Sequence, residues 1–272
     1  MPHLSVPGAE LAYETAGRIS DPALLLIPAG IATLRMWDQQ VDALAERHFV
    51  ARYDPRGFGG TRHDESVPFA NHADALALLD HLGIERATLV GASRGGRIAL
   101  DLALATPDRV TGIVTIGSGP SGFPDTPLTD EEQRRFDEID AVDPVSDPRR
   151  LVQLETTLWA AGPLREEGDL DPEFVRRAHE LNAPNVAHAA DDGTMLPLEP
   201  PAYGRLRDIR SPALVMVGEY DISSALAEYE YQLEELPDAT GYRFQDSAHL
   251  PSVERAAEFE RVLLEWLGER GL

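Results

Sequence analysis

Leu89-Val90-Gly91-Ala92-Ser93-Arg94-Gly95-Gly96 is the stretch that decides how this chain is read. An apolar run stops at a serine flanked by small residues and continues into Arg97-Ile98-Ala99-Leu100, which has helical character. A strand that turns sharply into a helix presents such a serine at the edge of a sheet. Any side chain at 91 or 95 would collide across so tight a bend, which accounts for both glycines. G-x-S-x-G also recurs by chance. The motif therefore asks the rest of the chain for a base, an acid and two oxyanion donors.

Outward from the serine, strand and helix alternate. Leu4–Val6 and Leu11–Thr15 flank the turn-like Pro7-Gly8 and read as a hairpin. Ala23–Ile27 is a continuous apolar run, as expected of a strand buried on both faces. The spacing predicts a helix over Trp37–Arg47, a strand over His48–Tyr53 and a helix over Ala73–Leu82. Then come a strand at Ala87–Val90, a helix at Arg94–Ala105 and a strand at Val110–Ile116. The pattern breaks between Pro120 and Tyr203. That stretch is rich in proline and acids and offers three helices: Thr129–Asp140, Pro148–Ala161 and Asp171–Leu181. Alternation resumes with Ala213–Val217, Ser224–Leu236, Gly241–Gln245 and Ala256–Leu267. The expectation is an α/β core built from residues 1–119 and 204–272, with a mostly parallel sheet covered on both faces and a helical lid inserted over 120–203.

Composition narrows the chemistry. The 272 residues suffice for one large α/β core with an insertion. A formal net charge of −23 argues against nucleic acid and anionic membranes as partners. All 24 basic residues are arginine, which rules out a Schiff-base lysine. The absence of cysteine excludes disulfides, thiolate metal sites and a cysteine nucleophile. The amino terminus has neither the basic nor the apolar region of a signal peptide, and the apolar stretch near Ala23–Leu34 is broken by Pro28 and Gly30. The expectation is a cytoplasmic protein acting on a small molecule without a cofactor, with self-association left open.

A serine hydroxyl needs an adjacent imidazole to take its proton, and the imidazole needs a carboxylate to orient it. In a parallel sheet such groups gather at the carboxyl ends of strands. Of eight histidines, His249 fits: it follows the Gly241–Gln245 strand by a short loop. The expected acid is Asp221, just past Ala213–Val217, with Glu219 and then Asp246 as rivals. No carboxylate ends the preceding strand at Ile116-Gly117-Ser118. The oxyanion donors are expected to be the backbone N–H groups of Arg94, after the serine, and Ile31, after the Ala23–Ile27 strand.

On these residues the chain resembles the α/β-hydrolase fold superfamily. The order is serine, acid, histidine. Tyr53-Asp54-Pro55-Arg56-Gly57-Phe58-Gly59 is similar to the superfamily's D-x-R-G-x-G turn, and Ser247-Ala248-His249 supplies the histidine context. Within the superfamily it looks most like the 3-oxoadipate enol-lactonase, small-ester hydrolase and cofactor-free haloperoxidase group. One departure bears on oxyanion geometry: where the superfamily usually has His-Gly after the third strand, this chain has Ala29-Gly30.

The resemblance implies hydrolysis of a small carboxylic ester or lactone through an acyl-enzyme on Ser93. Carbon–carbon bond hydrolysis and peracid chemistry would use the same residues, and a non-catalytic ligand-binding receptor on this fold is the reading from another class. Trp159 and Phe123 are candidates for the pocket wall. The Arg94 side chain faces a substrate carboxylate, a structural salt bridge or solvent. Arg97 and Asp101, four apart, suit a local ion pair.

Overall fold

The computed structural model describes residues 1–191 and 193–272. A nine-stranded sheet runs β1 (His3–Val6), β2 (Ala9–Ala16), β3 (Ala23–Ile27), β4 (Phe49–Tyr53), β5 (Arg62–His63), β6 (Ala87–Ala92), β7 (Val110–Ile116), β8 (Ala213–Gly218) and β9 (Ala239–Phe244). The spatial order is β1-β2-β4-β3-β6-β7-β8-β9, with β5 paired to β2. β1, β2 and β5 pair antiparallel with their neighbours, and the path from β4 to β9 is parallel throughout.

The continuous apolar runs of the sequence follow from burial on both faces. Leu25 and Ile27 of β3 enter one core, whereas Leu24 and Leu26 enter the other. In β8, Val215 and Val217 face the first core and Leu214 and Met216 the second. Helices cover both layers: α1 (Val41–Ala45), α2 (Asn71–His81), α3 (Arg94–Ala105), α4 (Asp130–Asp140), α5 (Pro148–Thr156), α6 (Pro172–Asn182), α7 (Ser223–Glu235), α8 (Pro251–Glu254) and α9 (Ala256–Arg270). α2, α3 and α7 bury apolar residues in the first core and α9 in the second.

Two predicted helices take a different form. Trp37–Arg47 is split into a 3₁₀ turn, Leu34–Trp37, and the short α1, with Trp37 sealed in the core against Phe259. Pro148–Ala161 is α5 followed by a π-helical turn, Thr157–Ala161, that ends at Gly162 (φ 85°). α4 begins in a capping box, with Thr129 and Glu132 satisfying each other's backbone N–H groups. α4, α5 and α6 all lie between β7 and β8 in the chain. Among the described residues no helix is long and apolar enough to cross a membrane.

This topology positions the site. β3 has β4 on one side and β6 on the other, so successive connections depart in opposite directions from this pair. The loops leaving β3 and β6 at their carboxyl ends flank a crevice, where open α/β sheets bind ligands. Ser93 and Ile31 sit in those two loops.

Candidate active site

Ser93 joins β6 to α3 with φ 50° and ψ −117°. Among the described residues it is the one non-glycine residue with positive φ. Such a conformation costs of order 1–3 kcal/mol and persists where the surroundings over-determine it. Those surroundings are backbone groups and one serine hydroxyl. Ser93 N–H donates to Ile116 O at 2.7 Å, and the Ser118 hydroxyl donates to Ser93 O at 2.5 Å. A Cβ at Gly91 would overlap the Gly95 carbonyl, and a Cβ at Gly95 would overlap that of Ile27. The close approach of α3 to β3 and β6 therefore requires both glycines.

His249 and Asp221 come together behind Gly117. His249 Nδ1 lies 2.9 Å from each oxygen of Asp221, and both side chains are almost fully buried. A carboxylate only accepts, so Nδ1 carries the shared proton and Nε2 of the neutral ring keeps its lone pair. A Cβ on Gly117 would sit 2.7 Å from Asp221 Oδ2 and 3.0 Å from His249 Nδ1. Asp221 Oδ1 also accepts the Ile222 N–H at 2.8 Å. No hydrogen bond joins Ser93 Oγ to His249 Nε2 in this structure. Such bonds in free enzymes are commonly long and tighten around the substrate. The rival acids lie elsewhere. Glu219 is exposed, and Asp246 pairs with Arg255 at 3.2 Å on the surface.

The two expected oxyanion donors, Arg94 N–H and Ile31 N–H, donate no hydrogen bond to any described residue. The loop that carries Ile31 is braced without the superfamily's histidine. Asp54, in the turn after β4, accepts from Leu34 N–H at 2.6 Å and Gly60 N–H at 2.8 Å. Burial raises the pKa of this carboxyl. Arg56 of the same turn grips Asp74 on α2 with two bonds of 2.7 and 2.9 Å. Asn185 completes the brace: its amide donates to Gly30 O (3.3 Å) and Ala32 O (3.1 Å), and its carbonyl accepts from Gly59 N–H (3.0 Å). The sequence carries no sign of Asn185, because the loop groups it braces lie more than 120 positions away.

Ser93 opens into a cavity of ≈ 420 Å³ lined by Gly30, Arg94, Arg97, Ser118 and Glu228, among others. Neither aromatic residue expected to form its wall lines it. Phe123 packs edge-on against Tyr203 and Tyr231. Trp159 instead covers His249, with ring centroids 4.6 Å apart, and its carbonyl accepts the His249 N–H at 3.2 Å. The π-helical turn accounts for this placement, since a widened turn releases a carbonyl from the helical ladder.

The expected Arg97–Asp101 ion pair is absent. Arg97 faces Glu228 at 3.8 Å, and Asp101 accepts the Ser121 hydroxyl at 2.6 Å. Glu228 was not anticipated from sequence, and burial pushes its pKa up to about 6. A larger groove of ≈ 910 Å³ runs past Arg165, Phe174 and Tyr220. Its four arginines are paired with Glu254, Glu173, Asp38 and Asp246, and among the described residues it holds no nucleophile beside a base.

Similarity to known proteins agrees with the fold. Over 273 residues the chain is 26% identical to 3-oxoadipate enol-lactonase 2 of Acinetobacter baylyi, covering 96% of this chain and 94% of that one. It is 32% identical to a 2-hydroxy-6-oxononadienedioate/2-hydroxy-6-oxononatrienedioate hydrolase of Paraburkholderia phymatum, covering 85% and 81%. The crystal structure of the enol-lactonase from Burkholderia xenovorans LB400 superposes with a TM-score of 0.76 over 98% of this chain and 100% of that one, at 24% identity. The family model of the alpha/beta hydrolase fold matches residues 22–256, and the chain belongs to that family of hydrolases.

Proposed function

We propose that this hydrolase cleaves a small carboxylic ester or lactone through an acyl-enzyme on Ser93. The observation that carries the reading is Ser93, held at positive φ at the head of α3, in a cavity whose wall residue Gly117 abuts a buried His249–Asp221 pair. Ser93 Oγ attacks the carbonyl carbon while His249 Nε2 takes its proton. The oxyanion formed accepts from Arg94 N–H and Ile31 N–H. Collapse expels the alcohol oxygen, which receives that proton from His249; in a lactone this hydroxyl stays attached to the acyl group. Water, deprotonated by His249, then releases the acid. Asp221 holds the imidazole tautomer and stabilises its cationic form. The segment 120–203 acts as a cover, supported by Trp159 over His249 and Asn185 on the oxyanion loop. No step calls for a cofactor.

The test is turnover of 4-nitrophenyl acetate together with labelling by a fluorophosphonate. The expected result is labelling of Ser93, and loss of both signals in Ser93→Ala and His249→Ala. Wild-type rates in both variants would overturn the reading. The 32% identity to a hydrolase of a 2-hydroxy-6-oxo acid supports carbon–carbon bond hydrolysis as the second reading. A panel of esters, lactones and β-diketones separates the two.

A further inference from the structure

Among the described residues the Arg94 side chain has no hydrogen-bonding or ion-pair partner. Its guanidinium lies over the Phe58 ring at 4.2 Å and makes no hydrogen bond or ion pair with any described residue. Scarcity of acids is not the reason, since the chain has 47 carboxylates for 24 arginines. The two acids that line the same cavity are otherwise engaged: Glu228 faces Arg97 and Asp101 holds Ser121. Arg94 is open to the cavity, yet protein surrounds it closely enough that burial, with Arg97 second, lowers its pKa to about 10.

The placement is unfavourable for a cation without a ligand. Arg94 opens α3, whose first turn has no acidic residue. A helix start favours negative charge, and cations three apart repel across one face. Arg97 is that second cation and lines the same cavity. An anion between them and the helix start would relieve both terms. Stacking on Phe58 occupies the face of the guanidinium and leaves its edge N–H donors free, the edge that takes a carboxylate with two parallel bonds. The guanidinium also lies beside the oxyanion loop, because a Cβ on Gly30 would be 3.6 Å from Arg94 Nε.

We infer that the Arg94 guanidinium is a specificity determinant that binds a carboxylate carried by the substrate, so that the preferred ester or lactone is an anion. This rests on the reading of Ser93 as nucleophile. The side chain acts on binding, separately from the Arg94 N–H aimed at the oxyanion.

The experiment measures kcat and KM for matched pairs. One pair carries the charge on the acyl side: mono-4-nitrophenyl glutarate against 4-nitrophenyl valerate. The other carries it on the alcohol: 4-acetoxybenzoate against its methyl ester. In the wild type at least one anionic ester is expected to be preferred by about 10- to 100-fold in kcat/KM, the scale of a charge-assisted hydrogen-bonded pair. In Arg94→Gln that ratio falls to within about twofold of unity, through KM, and Arg94→Lys lies between. Glutarate should inhibit the wild type competitively and more strongly than valeramide, a measurement that needs no variant. No preference in either pair, an unchanged ratio in Arg94→Gln, or equal inhibition by glutarate and valeramide would overturn the inference. Failure of the Ser93 reading looks different, because all four esters would then be left intact or would be cleaved equally by Ser93→Ala.

Discussion

The Asp221 carboxylate presents both oxygens to His249 Nδ1 at 2.9 Å, and Gly117 is the residue that lets them meet. The main chain at 117 has φ 51°, and any side chain there would push into the pair. The geometry singles out one acid of the three weighed. Asp221→Asn is therefore expected to lower kcat for 4-nitrophenyl acetate by about 10⁴-fold, the cost of holding the wrong tautomer. Glu219→Gln and Asp246→Asn should stay within about threefold of wild type, on the ordinary scale of surface substitutions. Steady-state kinetics of the three variants under one condition checks this.

Asn185 joins three backbone groups on two loops, Gly30 O and Ala32 O on one and Gly59 N–H on the other. Removing its amide frees the loop that carries Ile31. Asn185→Ala should lower kcat by about 10- to 100-fold with little change in KM, since a displacement near 1 Å in a positioning group has that effect. Stability should fall by about 1–3 kcal/mol, from buried groups left unpaired. A loss of stability with kcat intact would make Asn185 a brace for the fold alone.

What could be read in advance follows the range of the interactions involved. The buried strands announce themselves as apolar runs, and β3, α3 and β7 have the predicted bounds because their ends are local: a turn, a glycine pair, a proline. The capping box at Thr129 is likewise written in four consecutive residues. Tertiary partners leave no such trace. Glu132 both caps α4 and accepts from the Ser223 N–H and hydroxyl at the start of α7, 91 positions away. Arg97 turns to Glu228 rather than to its helical neighbour Asp101 because α7, on the same face of the sheet, brings Glu228 within 3.8 Å. The Trp159 ring and carbonyl reach His249 only because α5 widens into a π turn, which helical periodicity alone does not reveal. The serine, acid and histidine at strand ends, on which the proposed chemistry rests, were legible; the side chains that brace and line the cavity were not.

Ser93 stores strain that its function would require. Glycine adopts the same backbone without the Cβ penalty, whereas alanine keeps it. Both substitutions remove the hydroxyl, so their difference isolates the backbone. Ser93→Gly should be more stable than Ser93→Ala by about 1 kcal/mol, and both should be inactive. Urea denaturation with equal slopes for the two variants reads this directly. Equal midpoints would mean that the turn relaxes when the serine is lost.

Glu228 ties stability to pH. It faces Arg97 and the cavity, with His249 and Asp221 within electrostatic range, and burial raises its pKa from 4.5 to about 6. A carboxyl whose folded pKa is raised binds its proton more tightly in the folded state. Its contribution to stability is thus fully present below about pH 4.5 and is lost as pH rises through about 6. Above that window the folded protein has an ionised, desolvated carboxylate that Arg97 offsets only in part. Glu228→Gln removes this group's titration. The variant should gain on the wild type between pH 4 and pH 8, by at most about 2 kcal/mol, since each pKa unit is worth 1.36 kcal/mol. Denaturant titrations of both proteins across that range give the difference curve. A flat curve would show that Glu228 stays solvated when ionised. A curve of opposite slope would show that Arg97 more than compensates the burial, and would make the pair a net support of the cavity wall.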